Sequence, residues 1–400
     1  MEESPSVRAE IVVDVAAIRH NVRRLGEVTG TPVMTVVKAD GYGHGLLESA
    51  RAAREGGAAW LGVATLDEAL ALRAGGDTGP LLCWLTVPSD DPGPALAAGV
   101  DVTAYTTEEL DRIAAARVPG ARVQLKVDTG LSRGGALPAD WPALVERARR
   151  GQEAGELTVT GVWSHLARSD EPDEAANDEQ QRVFDEALAV VEAAGLRPEV
   201  RHLANSAAAL LRPQARYDLV RCGIASYGLD PAPGVTPPLG LRPAMTARAS
   251  LALTKRVEAG ASVSYGHTWT AERATTLGLV PVGYADGVPR IAGNRAEVWV
   301  AGARRPVRGR VCMDQLVVDL GDLGDLDEDL DDDLSAGAEA VLFGPGDRGE
   351  PTAQDWAEAC ETISYEIVSR IGGRMVRRHV DSDVHAPPDK PTSSQTEDPA

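Results

Sequence analysis

Between residues 31 and 221, short β-branched apolar runs alternate with longer amphipathic stretches. The runs fall at 31–38, 60–63, 81–85, 102–104, 122–128, 157–165, 200–203 and 219–221. Amphipathic stretches at 65–73, 107–117, 141–150 and 174–194 lie between them. Thr107 with Glu108 and Glu109 reads as a helix start, because acids complement the positive end of a helix. Asp140 before Trp141-Pro142 reads as a second one. Eight strand candidates with intervening helices fit an N-terminal (β/α)8, TIM-type barrel. A doubly wound open sheet carries the same periodicity, and the pattern does not separate the two.

After Leu229 the pattern changes. A Pro-rich crossing, 230–238, leads into short alternating runs at 247–257, 275–282, 296–300, 310–318 and 338–343. Gly and Pro turns divide them, as expected of a mainly antiparallel β domain. Two helices are expected near its end, at 352–361 and 364–371. The aspartate-rich run 321–333 reads as a solvated surface loop, and the polar, Pro-rich residues 381–400 as a disordered tail.

Four hundred residues, 43% of them hydrophobic, suffice for two domains with substantial cores. Sixty acidic against 40 basic residues leave a net charge of −20, which argues against nucleic acid or an anionic membrane as partner. The four cysteines and seven histidines are dispersed, so neither a disulfide framework nor a metal site is expected. The first ten residues lack a signal peptide's basic and apolar regions, and no apolar run approaches the ~20 residues of a membrane span. A soluble, cytoplasmic protein is the expectation.

In a parallel barrel the working residues sit at the C-terminal ends of the strands. Here those ends carry Lys38, Lys126 to Arg133, Ser164-His165, His202 to Ser206, and Arg221 to Ile224. Any one of them could be an ordinary satisfied polar residue; five pointing to one rim are hard to explain that way. Lys38 closes an apolar run and enters the turn Ala39-Asp40-Gly41-Tyr42-Gly43-His44-Gly45. Desolvation there lowers an amine's pKa and frees it as a nucleophile, as a Schiff-base lysine requires. Ser206 opens a helical pattern, and Gly223-Ile224 offers free backbone N–H groups, both suited to an anion. A lysine nucleophile beside a phosphate cradle, with no metal cluster, points to pyridoxal 5′-phosphate.

The segment VVKADGYGHG resembles the cofactor-lysine motif of the alanine racemases. The likeness runs from about residue 8 to 379, through LKVDTGLSRGG, WSHLA, HLANSAA, VRCGIASYGL, VSYGHTW, VGYADGVPR, GRVCMDQ and TISYEIVSRI. It implies interconversion of L- and D-alanine for peptidoglycan synthesis, by a homodimer with shared active sites. Lys38 would hold the cofactor and serve as one base. Tyr42, Ser206, Gly223, Ile224 and Tyr365 would bind its phosphate, and Arg221 would face its ring nitrogen. Tyr265 of a second copy would be the other base, assisted by His165, itself held by Arg221. Arg133 and the backbone N–H of Met313 would take the substrate carboxylate, and Tyr284 with Tyr365 would limit substrate size. Lys126 resembles a lysine carbamylated in many members. Arg290, Arg310 and Asp170 match an outer entrance layer. The implied organisation is an N-terminal strand (1–10) packing with the C-terminal domain, a barrel (11–240), a β domain (241–380) and a tail (381–400).

Three other readings differ in what they require. A non-catalytic cofactor-homeostasis protein would be a barrel alone. A related basic amino-acid decarboxylase would need an acidic partner at the ring nitrogen, where this chain has Arg221. A broader-specificity racemase would be expected to carry an export signal.

Overall fold

The computed structural model describes residues 7–322 and 334–385. Among the described residues nineteen strands follow one another: β1 (Ala9–Asp14), β2 (Val33–Val36), β3 (Trp60–Val63), β4 (Leu81–Cys83), β5 (Asp101–Ala104), β6 (Arg122–Lys126), β7 (Thr158–Trp163), β8 (Val200–His202), β9 (Val220–Cys222), β10 (Met245–Ser250), β11 (Leu253–Val257), β12 (Ser262–Val263), β13 (Trp269–Thr270), β14 (Thr275–Val280), β15 (Glu297–Val300), β16 (Ala303–Arg308), β17 (Leu316–Gly321), β18 (Glu339–Phe343) and β19 (Val376–Val380).

Strands β2 to β9 pair in parallel in the order β8-β7-β6-β5-β4-β3-β2-β9. The outer two are tied together by backbone bonds from Asp218 N–H to Arg201 O and from Arg221 N–H to Ala204 O, both 3.0 Å. The sheet therefore curls into a barrel, which decides against the open sheet. Its lumen is packed by Met34, Trp60, Leu82, Trp163 and Leu219. The helix Val15–Thr29 precedes the alternation; Asp14 caps it through the Ala16 N–H, and Gly30 ends it at φ +62°.

The second sheet runs β11-β14-β17-β16-β15-β18-β10-β1-β19. Strand β1, the first of the chain, lies antiparallel to β10 and parallel to β19. Both ends of the described chain are thus stitched into the same sheet.

Both expected helix starts are found, at Thr107 and at Trp141 after Asp140. The first is capped by Thr106, whose side chain and Glu109 form a reciprocal capping box, and Asp140 makes no capping bond. Other local expectations are corrected. The run 247–257 breaks into two strands, and 310–318 is mostly the loop between β16 and β17. The tail begins later than residue 381: Arg19 holds Asp381 at 2.7 Å and Asp383 at 3.1 Å, and Ser382 Oγ donates to Asp14 at 2.6 Å. Most of the aspartate-rich run, and residues 386–400, lie outside the described residues. Among the described residues no helix is long and apolar enough to cross a membrane, and no cluster could hold a metal ion.

Candidate active site

Strand β2 ends at Val36, and Lys38 opens the turn that follows. Ala39, Asp40, Gly41 and Tyr42 all adopt left-handed conformation, with φ of 53°, 54°, 63° and 53°. For each non-glycine residue this costs roughly 1–2 kcal/mol. Several fixed contacts hold the turn against that cost. Asp40 accepts the Leu46 N–H at 2.8 Å and pairs with Arg377 of β19 at 2.6 Å. His44 sits in the interior, where burial pushes its ring down to about 4 and keeps it neutral. Its Nδ1–H points at the carbonyls of Gly41 and Tyr42, both 3.0 Å away. His379 of β19 donates to the His44 carbonyl at 2.7 Å. The second sheet thus clamps the lysine turn of the barrel. At Gly43 no side chain fits, because a Cβ would lie 2.2 Å from the Val368 carbonyl oxygen.

The turn opens onto a cavity of about 620 Å³ at the C-terminal ends of the barrel strands. Ten of the sequence-selected residues line it: Lys38, Tyr42, Lys126, Arg133, His165, Ser206, Arg221, Gly223, Ile224 and Tyr365. The lining carries four basic side chains and no acidic one. Burial, then Arg133, lowers the Lys38 amine, against a partial opposing pull from Glu68. The Lys126 amine lies 4.6 Å from the Trp163 ring and 5.4 Å from that of Tyr105. Burial, with Arg221 and Arg133, pushes it down to about 8. Among the described residues neither Lys126 nor Arg133 has an ion-pair partner.

Gly223 donates its N–H to Ser206 Oγ at 3.0 Å. A Cβ there would meet the Tyr42 hydroxyl at 2.3 Å, so only glycine lets the hydroxyl approach this turn. Ile224 begins a 3₁₀ turn and has no intrahelical acceptor for its N–H. Burial raises the phenols of Tyr42 and Tyr365, which makes both hydrogen-bond donors rather than bases.

Arg221 spans the barrel floor. Nη1 donates to the His202 carbonyl at 3.0 Å; Nη2 donates to the Ser164 carbonyl at 2.7 Å and the Leu203 carbonyl at 2.9 Å. Burial pushes the guanidinium down to about 9, so it stays charged at neutral pH. Nη2 also lies 3.1 Å from His165 Nδ1. Burial, then Arg221, holds the His165 ring well below its ordinary value. Among the described residues Arg221 Nε–H has no acceptor, and the residue lines the cavity.

Tyr265, Met313 and Tyr284 lie elsewhere. They are exposed by 70%, 53% and 43%, and they gather on loops of the β domain. Tyr284 and Ala285 donate their N–H groups to the carbonyls of Cys312 and Met313, both at 3.0 Å. Ser264 donates to the Arg310 carbonyl at 2.6 Å. Arg290, Arg310 and Asp170 form no ion pair among the described residues. The cavity walls Trp84 and Tyr105, and Gln124 and His202 beneath it, were not among the selected residues. His202 did stand at a strand end, which was the available signal.

The fold and this site define a barrel enzyme with a nucleophile-competent lysine in an anion-binding cavity. The chain belongs to the alanine racemase family. The family's N-terminal domain matches residues 13–231 and its C-terminal domain residues 244–379. The alanine racemase of Thermobifida fusca (strain YX) is 55% identical over 92% of this chain and 97% of its own. The crystal structure of alanine racemase from D-cycloserine-producing Streptomyces lavendulae superposes with a TM-score of 0.90 at 50% identity, over 94% of this chain and 98% of that one. That of Bartonella henselae, with covalently bound pyridoxal phosphate, superposes at 0.81 with 27% identity, over 94% and 100%.

Proposed function

We propose that the protein racemises alanine with pyridoxal 5′-phosphate held through Lys38. One observation carries this reading: a desolvated lysine amine shares a cavity with three more basic side chains and no acid. Such a lining suits a phosphate ester and a carboxylate together. The cradle of Tyr42, Ser206, Gly223 and Ile224 fits the phosphate, because the absent Cβ of Gly223 leaves room for the Tyr42 hydroxyl. The Nε–H of Arg221, without a protein acceptor, fits a ring nitrogen. When bound, the cofactor supplies an electron sink that acidifies the Cα–H of an amino acid.

The chain's own groups then divide the work. Lys38, with its lowered amine pKa, takes or returns a proton on one face of Cα. Arg221 offers its partner a hydrogen bond and accepts no proton, because its own charge persists at neutral pH. Arg133 binds the carboxylate, with the Met313 N–H as second donor. Lys126, with an amine near 8, is reactive enough to carry a carbamate that would position Arg133.

Racemisation needs a second proton carrier on the opposite face. We assign it to Tyr265 of a second copy in a homodimer. The exposure of Tyr265, Met313 and Tyr284, away from the chain's own cavity, supports a site completed in trans. His165 would donate an N–H to that phenol and lower its pKa. Tyr365 in the cavity, with Tyr284 supplied by the second copy, would favour a small side chain. An acidic surface and a D-alanine product fit a cytoplasmic enzyme supplying peptidoglycan synthesis. Purified protein with added pyridoxal phosphate should convert L-alanine to a mixture of both enantiomers, measured by chiral chromatography. Absence of conversion, with the cofactor bound, would overturn the reading.

A further inference from the structure

The carboxylate of Glu68 bridges the two strand ends beside the lysine turn. Strands β2 and β3 pair in parallel, and a bond from the Val37 N–H to the Gly62 carbonyl, 2.9 Å, closes their pairing. Beyond it the two segments part. One enters the turn after Lys38, the other the helix Leu66–Ala74. Glu68, half-buried on that helix, spans the gap. Its Oε1 accepts the Ala39 N–H at 2.7 Å. Its Oε2 accepts the Ala64 N–H at 2.9 Å and the Thr65 N–H at 3.2 Å. The peptide that joins Lys38 to Ala39 is thus tied to the neighbouring strand of the barrel.

Capping the helix needs only one of these oxygens. The helix Thr107–Ala115 carries the same reciprocal box. There Glu109 Oε2 accepts the N–H groups of Tyr105 and Thr106, as Glu68 Oε2 accepts those of Ala64 and Thr65. The other oxygen of Glu109 lies 3.8 Å from Arg112 of its own helix. The other oxygen of Glu68 is turned to the lysine turn instead. Charge points the same way. The Lys38 amine shares its cavity with Arg133, Lys126, Arg221, His165 and the phenols of Tyr42, Tyr105 and Tyr365, and none of these is a carboxylate. The Trp84 ring, 5.7 Å from the amine, is neutral. Asp40, in the turn itself, is paired with Arg377. Burial, then Arg133, lowers the amine, and Glu68 opposes both.

We infer that Glu68 is a positioning residue for Lys38: its one carboxylate fixes the peptide that follows the lysine and supplies the negative charge that the cavity lining lacks. Glu68 does not line the cavity, so it acts through the turn and through space. Its bearing on catalysis rests on the racemase reading; its effect on the Lys38 amine does not.

The chain has four lysines, Lys38, Lys126, Lys255 and Lys390, so each can be followed by ¹³C-lysine NMR of the full-length, cofactor-free protein. Lys38→Arg assigns the signal of interest. In Glu68→Gln the Lys38 amine should titrate at lower pH than in the parent, because the opposing charge is gone. Glu68→Ala, which puts a strong helix former at the same position, should shift it the same way. Thr65→Ala is the control for capping: it removes the other half of the box and leaves the carboxylate in place. It should lower the melting temperature and leave the Lys38 midpoint at the parent's value. A parent midpoint in the Glu68 variants, or an equal shift in Thr65→Ala, overturns the inference. With pyridoxal phosphate bound, Glu68→Gln should lower kcat about tenfold, a usual cost of losing an orienting outer partner, and Thr65→Ala should stay within twofold. A parent kcat in Glu68→Gln overturns the positioning role. The shifted midpoint in a protein that binds the cofactor and racemises nothing would leave the inference about the amine standing and remove the proposed function.

Discussion

The barrel cavity and the exposed β-domain loops contribute to one proposed site in opposite ways. In the cavity three titratable groups are held by burial and by neighbours: Lys38 on a clamped turn, Arg221 on three carbonyls, His165 on Arg221. Tyr265, Met313 and Tyr284 are anchored at the base of their loops and bare at the tips. A preorganised half can tune pKa values alone. An exposed tyrosine stays bathed in water until another surface covers it. The difference is what the proposed dimer would require: one half preorganised within the chain, the other left to be covered by a second copy.

The largest effect that would test this contrast is at Lys38. Lys38→Ala should lower racemisation on the order of 10³-fold or more and abolish covalent retention of the cofactor, seen by gel filtration and absorbance. Cofactor retained covalently by the variant would place the anchor elsewhere. Tyr265→Phe should cost on the order of 10²-fold while cofactor binding and melting temperature stay at the parent's values, since the residue is exposed. Co-refolding the two variants should recover roughly a quarter of the parent activity, because half the dimers would be mixed and one of their two sites intact. No recovery would mean that each chain completes its own site.

Lys126 should show a smaller, pH-dependent effect. With its amine near 8, the neutral form that reacts with CO₂ is a minority at pH 7 and dominates above 8. A carbamate signal from ¹³C-bicarbonate should therefore grow as pH rises from 7 to 9. Lys126→Ala should raise KM about tenfold and leave the cofactor bound. A pH-independent signal at Lys126 would argue against the buried-amine account.

The smallest effect concerns the base of the exposed loops. Asp286 is fully buried; burial raises its carboxyl, but Arg374 and the Gly283 N–H outweigh this and hold it below its ordinary value. A depressed carboxyl contributes stability above its unfolded pKa near ~4 and loses it as pH falls through the lower folded value. Asp286→Asn should lower the melting temperature at pH 7 by a few degrees, with the gap narrowing below about pH 4. A gap that stays constant with pH would assign the effect to packing.

The strands and the rim of the cavity were legible because both depend on local pattern. β-branched runs marked the strands of the barrel, and the rule that barrel chemistry sits at strand ends found eight of the ten cavity residues; the family likeness added Tyr42 and Tyr365. The helix starts at Thr107 and after Asp140 were legible too, though Asp140 itself makes no capping bond. The left-handed turn after Lys38 was hidden, since Ala39 and Tyr42 are not residues that seek positive φ. Arg377 and His379, more than 330 positions away, hold it there.

By itself the sequence determined the alternation of strands and helices, the lysine and anion-binding turns at strand ends, and the family likeness, because each is written in contiguous residues. Only the tertiary structure decided that the sheet closes and that a strand from the far end of the chain clamps the lysine turn. Those outcomes rest on pairings between distant positions. No window along the chain contains them.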